Sequence, residues 1–344
     1  MQRQVVTFGE LLLRLKAPGH ERLFQSGLLE ATFGGCEANV AVSLSRLGLG
    51  SSFVTALPDD AIGDAGLRAL RAQGVDTSHV LRRPGRTGIY FLEAGADQRP
   101  SQVIYDRAAS AAASMAPGDF PWATILAGTA WFHLSGITPA LSRSAAEATL
   151  EAATAARQAG ARLSVDLNYR KKLWRYGVPA PEIMRRLAGL ADVLVGNEED
   201  LQLSLGLAAP GADPEAGSLN LNVYRRLAER AREQFPNLQA VAITLRESRS
   251  ADRNGWSAAL LGRSGYHLSR RYELEDIVDR VGGGDAFAAG LIYGLLELPD
   301  EARALEFATA AAVLKHTVPG DFNLVDRIEI ERLVAGEASG RVRR

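Results

Sequence analysis

The sequence predicts an α/β fold, a central and mostly parallel sheet with helices on both faces, carrying a small β-sheet as a lid. Three observations lead there. Segments rich in β-branched and aromatic residues recur at Val5 to Leu13, Ser52 to Ala56, Trp131 to Leu134, Arg162 to Leu167, Val193 to Val195 and Ala240 to Leu245. The intervals are long enough for crossover helices, and one of them, Ser142 to Gln158, repeats Ala145, Ala148, Ala152, Ala155 and Ala156 at helical spacing. The stretch Thr87 to Arg107 breaks this rhythm with two strand-like runs around a turn rich in Gly, Asp and Pro, a hairpin that does not fit a parallel sheet.

Taken in order, Val5 to Leu13 is the first strand, and Arg14 to Phe33 has the turn and strand character to complete a lid with the hairpin. The expected organisation is one domain over residues 1–335, with lid segments at about 14–33 and 87–107. Leu207 to Leu219 reads as a surface insertion and residues 336–344 as a solvated tail.

Composition limits the function. The 344 residues carry 39 Lys and Arg against 40 Asp and Glu, so no global basic field exists to grip nucleic acid. A single cysteine, Cys36, excludes an intramolecular disulfide framework, and five scattered histidines spell no paired zinc motif. Neither a secretory leader nor an apolar run of about 18 residues can be written. These features predict a cytoplasmic protein without membrane or nucleic-acid partners.

The densest chemical signal is Asp279-Arg-Val-Gly-Gly-Gly-Asp285, followed by Ala286, Ala289, Gly290, Tyr293 and Leu296 at helical steps. Gly282, Gly283 and Gly284 thus open a helix, where unpaired N–H groups with no Cβ in the way can cradle phosphate. Asp285 would repel an anion but can accept a proton from a neighbouring hydroxyl. Read alone, the same segment is equally a flexible turn with a helix cap. A second turn, Gly34-Gly35, opens a helix that presents Asn39 near its start, suited to a polyol or simply to a strand-to-helix turn. None of the four lysines follows a glycine, which excludes a Walker A loop. No glycine fingerprint of a dinucleotide-binding unit follows the first strand.

Gly34-Gly35 with Asn39 early, and Asp279 to Asp285 late, resemble the two signatures of the ribokinase-like (PfkB) carbohydrate kinases. Tyr105-Asp-Arg107, Asp166-Leu-Asn-Tyr-Arg170, Asn197-Glu-Glu-Asp200 and the stretch Arg246 to Trp256 are most similar to the members that phosphorylate 2-dehydro-3-deoxygluconate (KDG). The resemblance spans roughly residues 3–330. It implies a ribokinase-like fold, ATP and Mg²⁺. Asp285 is then the base and Gly282, Gly283 and Gly284 the anion hole. Asn197 and Asp200 match an Asn-x-x-Glu element that organises Mg²⁺ through solvent, with Asp one methylene short and Glu199 or Glu198 able to compensate. Asn168, Asn197, Thr244, Arg246, Ala312, His316 and Asn323 fall where the family places nucleotide, although His316 reads equally as a packing residue. Asp279 occupies a position that some relatives use near a monovalent cation.

The lid should choose the substrate. Tyr105 and Arg107 lie two apart on one strand, with Tyr90 on its partner, so an arginine fork between aromatic rings can meet a carboxylate. Arg170 is a second cation for carboxylate or phosphate. The expected ligands are therefore a small sugar acid, KDG before its galactonate epimer or a neutral ketose, together with ATP. Exposed lid strands predict a homo-oligomer.

Overall fold

The computed structural model describes residues 3–208 and 221–337. The large sheet has ten strands among these residues. From one edge, β5 (Val80–Arg82), β4 (Gly50–Leu57), β1 (Gln4–Phe8), β8 (Trp131–Ser135), β9 (Arg162–Asp166), β10 (Val193–Gly196) and β11 (Ala240–Ser248) run parallel. β12 (Asn254–Gly262) and β13 (Gly265–Leu268) then fold back antiparallel, and β14 (Tyr272–Leu274) also pairs with β12.

Both faces are covered, which is why these strands read as unbroken apolar runs. Neighbours on β1 point to opposite sides: Val5 packs with Val40 and Leu44 of α1 (Cys36–Arg46) and with Phe287 of α8 (Gly283–Glu297). On that side lie also α9 (Glu301–Lys315) and α10 (Arg327–Val334). Val6 and Phe8 face the core shared with α3 (Trp122–Ile125), α4 (Arg143–Gln158), α5 (Ala180–Ala188), α6 (Glu198–Leu205) and α7 (Leu221–Gln234). α2 (Ala61–Arg71) links β4 to β5. The expected alanine helix is α4, capped by Ser142, whose side chain accepts the Ala145 N–H. α8 and α9 approach closely because Gly290 and Gly294 meet Ala308 and Ala304, where an added Cβ would lie under 3 Å from their Cα atoms.

The expected single strand Val5 to Leu13 is two. β1 ends at Phe8, and β2 (Leu12–Lys16) belongs to a second sheet. The break falls at Gly9, whose Cβ position lies 2.0 Å from Glu37 Oε2, so the start of α1 occupies the space a side chain would need. The second sheet is the lid: β3 (Glu30–Gly34), β2, β6 (Gly88–Glu93) and β7 (Gln102–Asp106) in that order. β6 and β7 form the expected hairpin, with Tyr90 opposite Tyr105.

The expected insertion lies largely, and the tail mostly, outside the described residues. Among those described, no helix is long and apolar enough to cross a membrane.

Candidate functional site

Ligands of open α/β sheets bind beyond the carboxyl ends of the strands, where neighbouring connections diverge. Here the chain leaves β1 toward β4 on one side, while β8 to β11 build outward on the other. A cavity of about 470 Å³ opens at those ends. Glu10 follows β1, Asp166 ends β9 with Asn168 and Arg170 after it, Gly196 ends β10 with Asn197 and Asp200 after it, and the lid residues Tyr90, Tyr105 and Arg107 roof it. Gly35, Asn39, Gly282, Gly284, Asp285 and Asp321 line the rest of its floor, with Thr244, Arg246 and Arg280 at one end.

Two helix starts meet across this floor. Asp285 sits in the first turn of α8, and its Oδ2 accepts a 2.7 Å hydrogen bond from Asn39 Nδ2 of α1. Burial drives the Asp285 carboxyl up to about 7, and the Asp321 and Glu37 carboxylates add to the rise against the Asn39 hydrogen bond. A carboxylate with a pKa near neutrality suits a general base. Asp166 is likewise pushed up, by burial first and then by Asp200 and Asp285. Arg170 lies at the rim. Among the described residues no carboxylate forms an ion pair with it, and Nη1 donates only to the Tyr169 carbonyl at 2.7 Å.

Several expected residues have different surroundings from those the sequence implied. Arg107 is buried and not a free fork: Nε and Nη2 donate to Glu10, the former at 2.7 Å. Asn39 spends its amide inside the protein, its Oδ1 accepting the Gly35 N–H at 3.3 Å while Nδ2 holds Asp285. Gly34 does not line the cavity, because the Asp321 carboxylate fills its Cβ position at 1.9 Å. Gly283 turns toward the interior, where a Cβ would lie 2.7 Å from His316 Cε1.

The nucleotide and metal residues divide similarly. Asn168, Asn197, Thr244 and Arg246 line the cavity, and Asn168 has a buried Oδ1 without a partner while its Nδ2 reaches Cys36 Sγ at 3.1 Å. Ala312, His316 and Asn323 are buried and do not line it. His316 packs edge-on to Trp256 at 5.0 Å, bonds the Ala312 carbonyl at 2.7 Å, and is held neutral by burial, with its pKa down to about 4. Asp200 and Asn197 form a capping box: Asp200 Oδ2 accepts the Asn197 N–H at 3.0 Å, and Oδ1 accepts the Tyr169 N–H at 2.8 Å. Glu199 is exposed and does not line the cavity. Asp279 is also committed, to Arg14 and to the N–H groups of Val281 and Gly320.

Sequence reasoning missed Glu10, Arg14, Arg280 and Asp321. Glu10 and Arg14 gave a signal, as charges inside an apolar run. Arg280 and Asp321 acquire meaning only through contacts distant in sequence.

The pfkB family carbohydrate kinase model matches residues 2–326. The chain is similar to the 2-dehydro-3-deoxygluconokinase of Thermotoga maritima in crystal structure, at 45% identity and TM-score 0.92 over 98% of this chain and 99% of that one. It is 34% identical to the 2-dehydro-3-deoxygalactonokinase of Haloferax volcanii over 99% of each chain. It is 28% identical to the 2-dehydro-3-deoxygluconokinase of Bacillus subtilis over 94% of this chain and 92% of that one.

Proposed function

The chain belongs to the pfkB family of carbohydrate kinases, and from that membership we propose that it phosphorylates KDG at its terminal hydroxyl, with ATP as donor, giving 2-dehydro-3-deoxy-6-phosphogluconate. The observation that carries this reading is the pairing, in one lidded cavity, of the buried base Asp285 with the uncommitted guanidinium of Arg170. The first suits a reacting hydroxyl. The second suits a carboxylate, which fructose and ribose lack.

In the proposed reaction the terminal hydroxyl gives its proton to Asp285 as its oxygen attacks the γ-phosphorus; the bond to the β-phosphate oxygen breaks and ADP leaves. Transfer of this kind depends on positioning and charge stabilisation, which the backbone N–H groups of the Gly282–Gly284 turn supply. Tyr90 and Tyr105 exclude water beside the carboxylate, and Arg107 adds positive potential from the Glu10 pair. Thr244 and Arg246 stand at the nucleotide end.

The residues fit Mg²⁺ held by phosphate and water rather than by a protein cage. Among the described residues no group of three His, Cys, Asp or Glu side chains could hold a metal. Asp200 keeps acceptor capacity on both oxygens beyond its two backbone bonds, enough to orient water. When bound, the ion neutralises charge on the β- and γ-phosphates.

The relative from Haloferax favours a second reading, the galactonate epimer. Measuring kcat/KM by ATP consumption on both C4 epimers and one neutral ketose, with the phosphorylated position identified, tests both. Preference for the neutral ketose would overturn the acid reading. The edge strand β7 is exposed throughout, with Ile104 on the face away from the cavity, and supports pairing of two lids into a homo-oligomer, to be measured by sedimentation.

A further inference from the structure

The lid strand β2 sends a charge into the core. Arg14, on β2, is 1% exposed and donates Nη2 to Asp279 at 2.5 Å and Nη1 to Asp321 at 2.7 Å. Tyr90, its neighbour across the β2–β6 pair, donates its hydroxyl to the same Asp321 oxygen. A guanidinium with this little exposure is tolerated only when fully paired, so the lid can take this position only where both carboxylates are presented together.

The two acidic residues also hold the glycine turn, Asp279 through its carboxylate and Asp321 through its backbone. Asp279 Oδ1 accepts the Val281 N–H at 3.1 Å and Oδ2 accepts the Gly320 N–H at 3.0 Å. Gly282 fits between them, its Cβ position 2.3 Å from the Asp321 carbonyl oxygen. Buried Lys315, which donates to the Val318 carbonyl at 3.0 Å, is the second cation beside Asp279 and Asp321. The lid's apolar underside, Leu12, Tyr90 and Leu92, packs on Val281, one residue before the turn. The lid therefore reaches the turn through the ion pairs of Arg14 with Asp279 and Asp321 and through packing on Val281, the residue before Gly282.

We infer that Arg14 is a positioning residue that couples seating of the lid over the sugar to alignment of the Gly282–Gly284 turn, so that sugar and nucleotide bind cooperatively. This rests on the kinase reading above. Coupling of two sites is a ratio of affinities, and it is reciprocal.

The test is calorimetry on the full chain, measuring the Kd for KDG with and without a non-hydrolysable ATP analogue and Mg²⁺. In the parent, nucleotide should tighten KDG binding by at least about fivefold. Arg14→Met should bring that ratio to within about twofold, while Arg14→Lys, which keeps the charge but not the fork, should retain part of it. A merely structural Arg14 would lower the melting temperature and weaken both ligands with the ratio intact, and that result would overturn the inference. So would a parent that binds both ligands without coupling. If Arg14→Met does not fold, Asp279→Asn keeps the Arg14–Asp321 pair and an oxygen for the Val281 N–H but removes the charged oxygen through which Arg14 reaches that segment, and retention of the parent ratio there is equally decisive. A parent that binds neither ligand overturns the kinase reading, and this inference with it.

Discussion

Two helices begin at glycine turns that face the same cavity, α1 at Gly35 and α8 at Gly282, and glycine meets a different requirement at each. The backbone at Gly35 is extended, open to any residue, and what excludes a side chain is the Glu10 carbonyl oxygen 2.1 Å from the Cβ position. Gly282 has φ 84°, a left-handed conformation, and in addition lies against the Asp321 carbonyl. One turn is crowded; the other is crowded and conformationally special. The chemistry differs in the same way. The α1 turn contributes a side chain, Asn39, that acts through Asp285, whereas the α8 turn contributes backbone donors and the carboxylate itself. Two glycines in a row thus mark a close approach, and only the acid that follows them in α8 marks the proposed reacting centre.

The largest expected effect tests that asymmetry. Asp285→Asn keeps the shape and the Asn39 contact region but removes the base, and kcat should fall by about two to four powers of ten. Melting temperature and ATP affinity should stay near the parent values. An unchanged kcat in a folded variant would move the chemistry away from α8.

Next comes Arg107. Because Glu10 is 1% exposed and paired with it, Arg107→Gln leaves a buried carboxylate without its cation and, among the described residues, with only the Ser110 hydroxyl as partner, a loss of about 3–5 kcal/mol in stability. Activity on KDG should also fall, by about 30-fold or more if the charge acts on the substrate. Glu10→Gln combined with Arg107→Gln separates the two. The double variant should melt near the parent yet remain poor on KDG. Recovery of activity along with stability would make Arg107 a purely structural partner of Glu10, and leave Arg170 as the carboxylate cation.

The glycine turns can be compared directly. Gly282→Ala forces a left-handed alanine, costing about 1–2 kcal/mol before the clash is counted, and should lower kcat about 5- to 30-fold or more. Gly35→Ala should act on the sugar side and raise KM for KDG, with the kcat loss smaller. Equal kcat losses in both would show that the two turns move as one unit.

Legibility followed the range of the interactions. The parallel strands were readable because burial on both faces leaves apolar runs without alternation, and Asp285 with its glycines because a helix start is local. Gly9 hid a strand break, since nothing nearby in sequence announces that Glu37 occupies its side-chain space. Arg107 and Asn39 were found, but not their engagement by Glu10 and Asp285, because a pairing across 97 or 246 residues has no periodicity to reveal it. His316 was the opposite case: the sequence left it open between a packing residue and a nucleotide contact, and its packing under Gly283 against Trp256 takes it out of the cavity.

The smallest expected effect is the most specific to the meeting of the two turns. The ionised Asp285 is the form that accepts a proton, so kcat/KM should decline as pH falls through about 7, where burial has placed its titration. Asn39 donates to the charged form and holds that pKa down. Asn39→Ala removes the donor, the charged form loses stabilisation, and the pKa rises. With a charge-assisted hydrogen bond contributing about 1.5 kcal/mol, the acid limb should move about one unit toward higher pH. At pH 6 the variant should therefore run about tenfold slower relative to the parent than it does at pH 9, where both are ionised. A structural role for Asn39 would depress the rate equally across the range. A limb that stays in place, or moves toward lower pH, would break the link between the α1 turn and the base, and the two helix starts would then share a cavity without sharing a reaction.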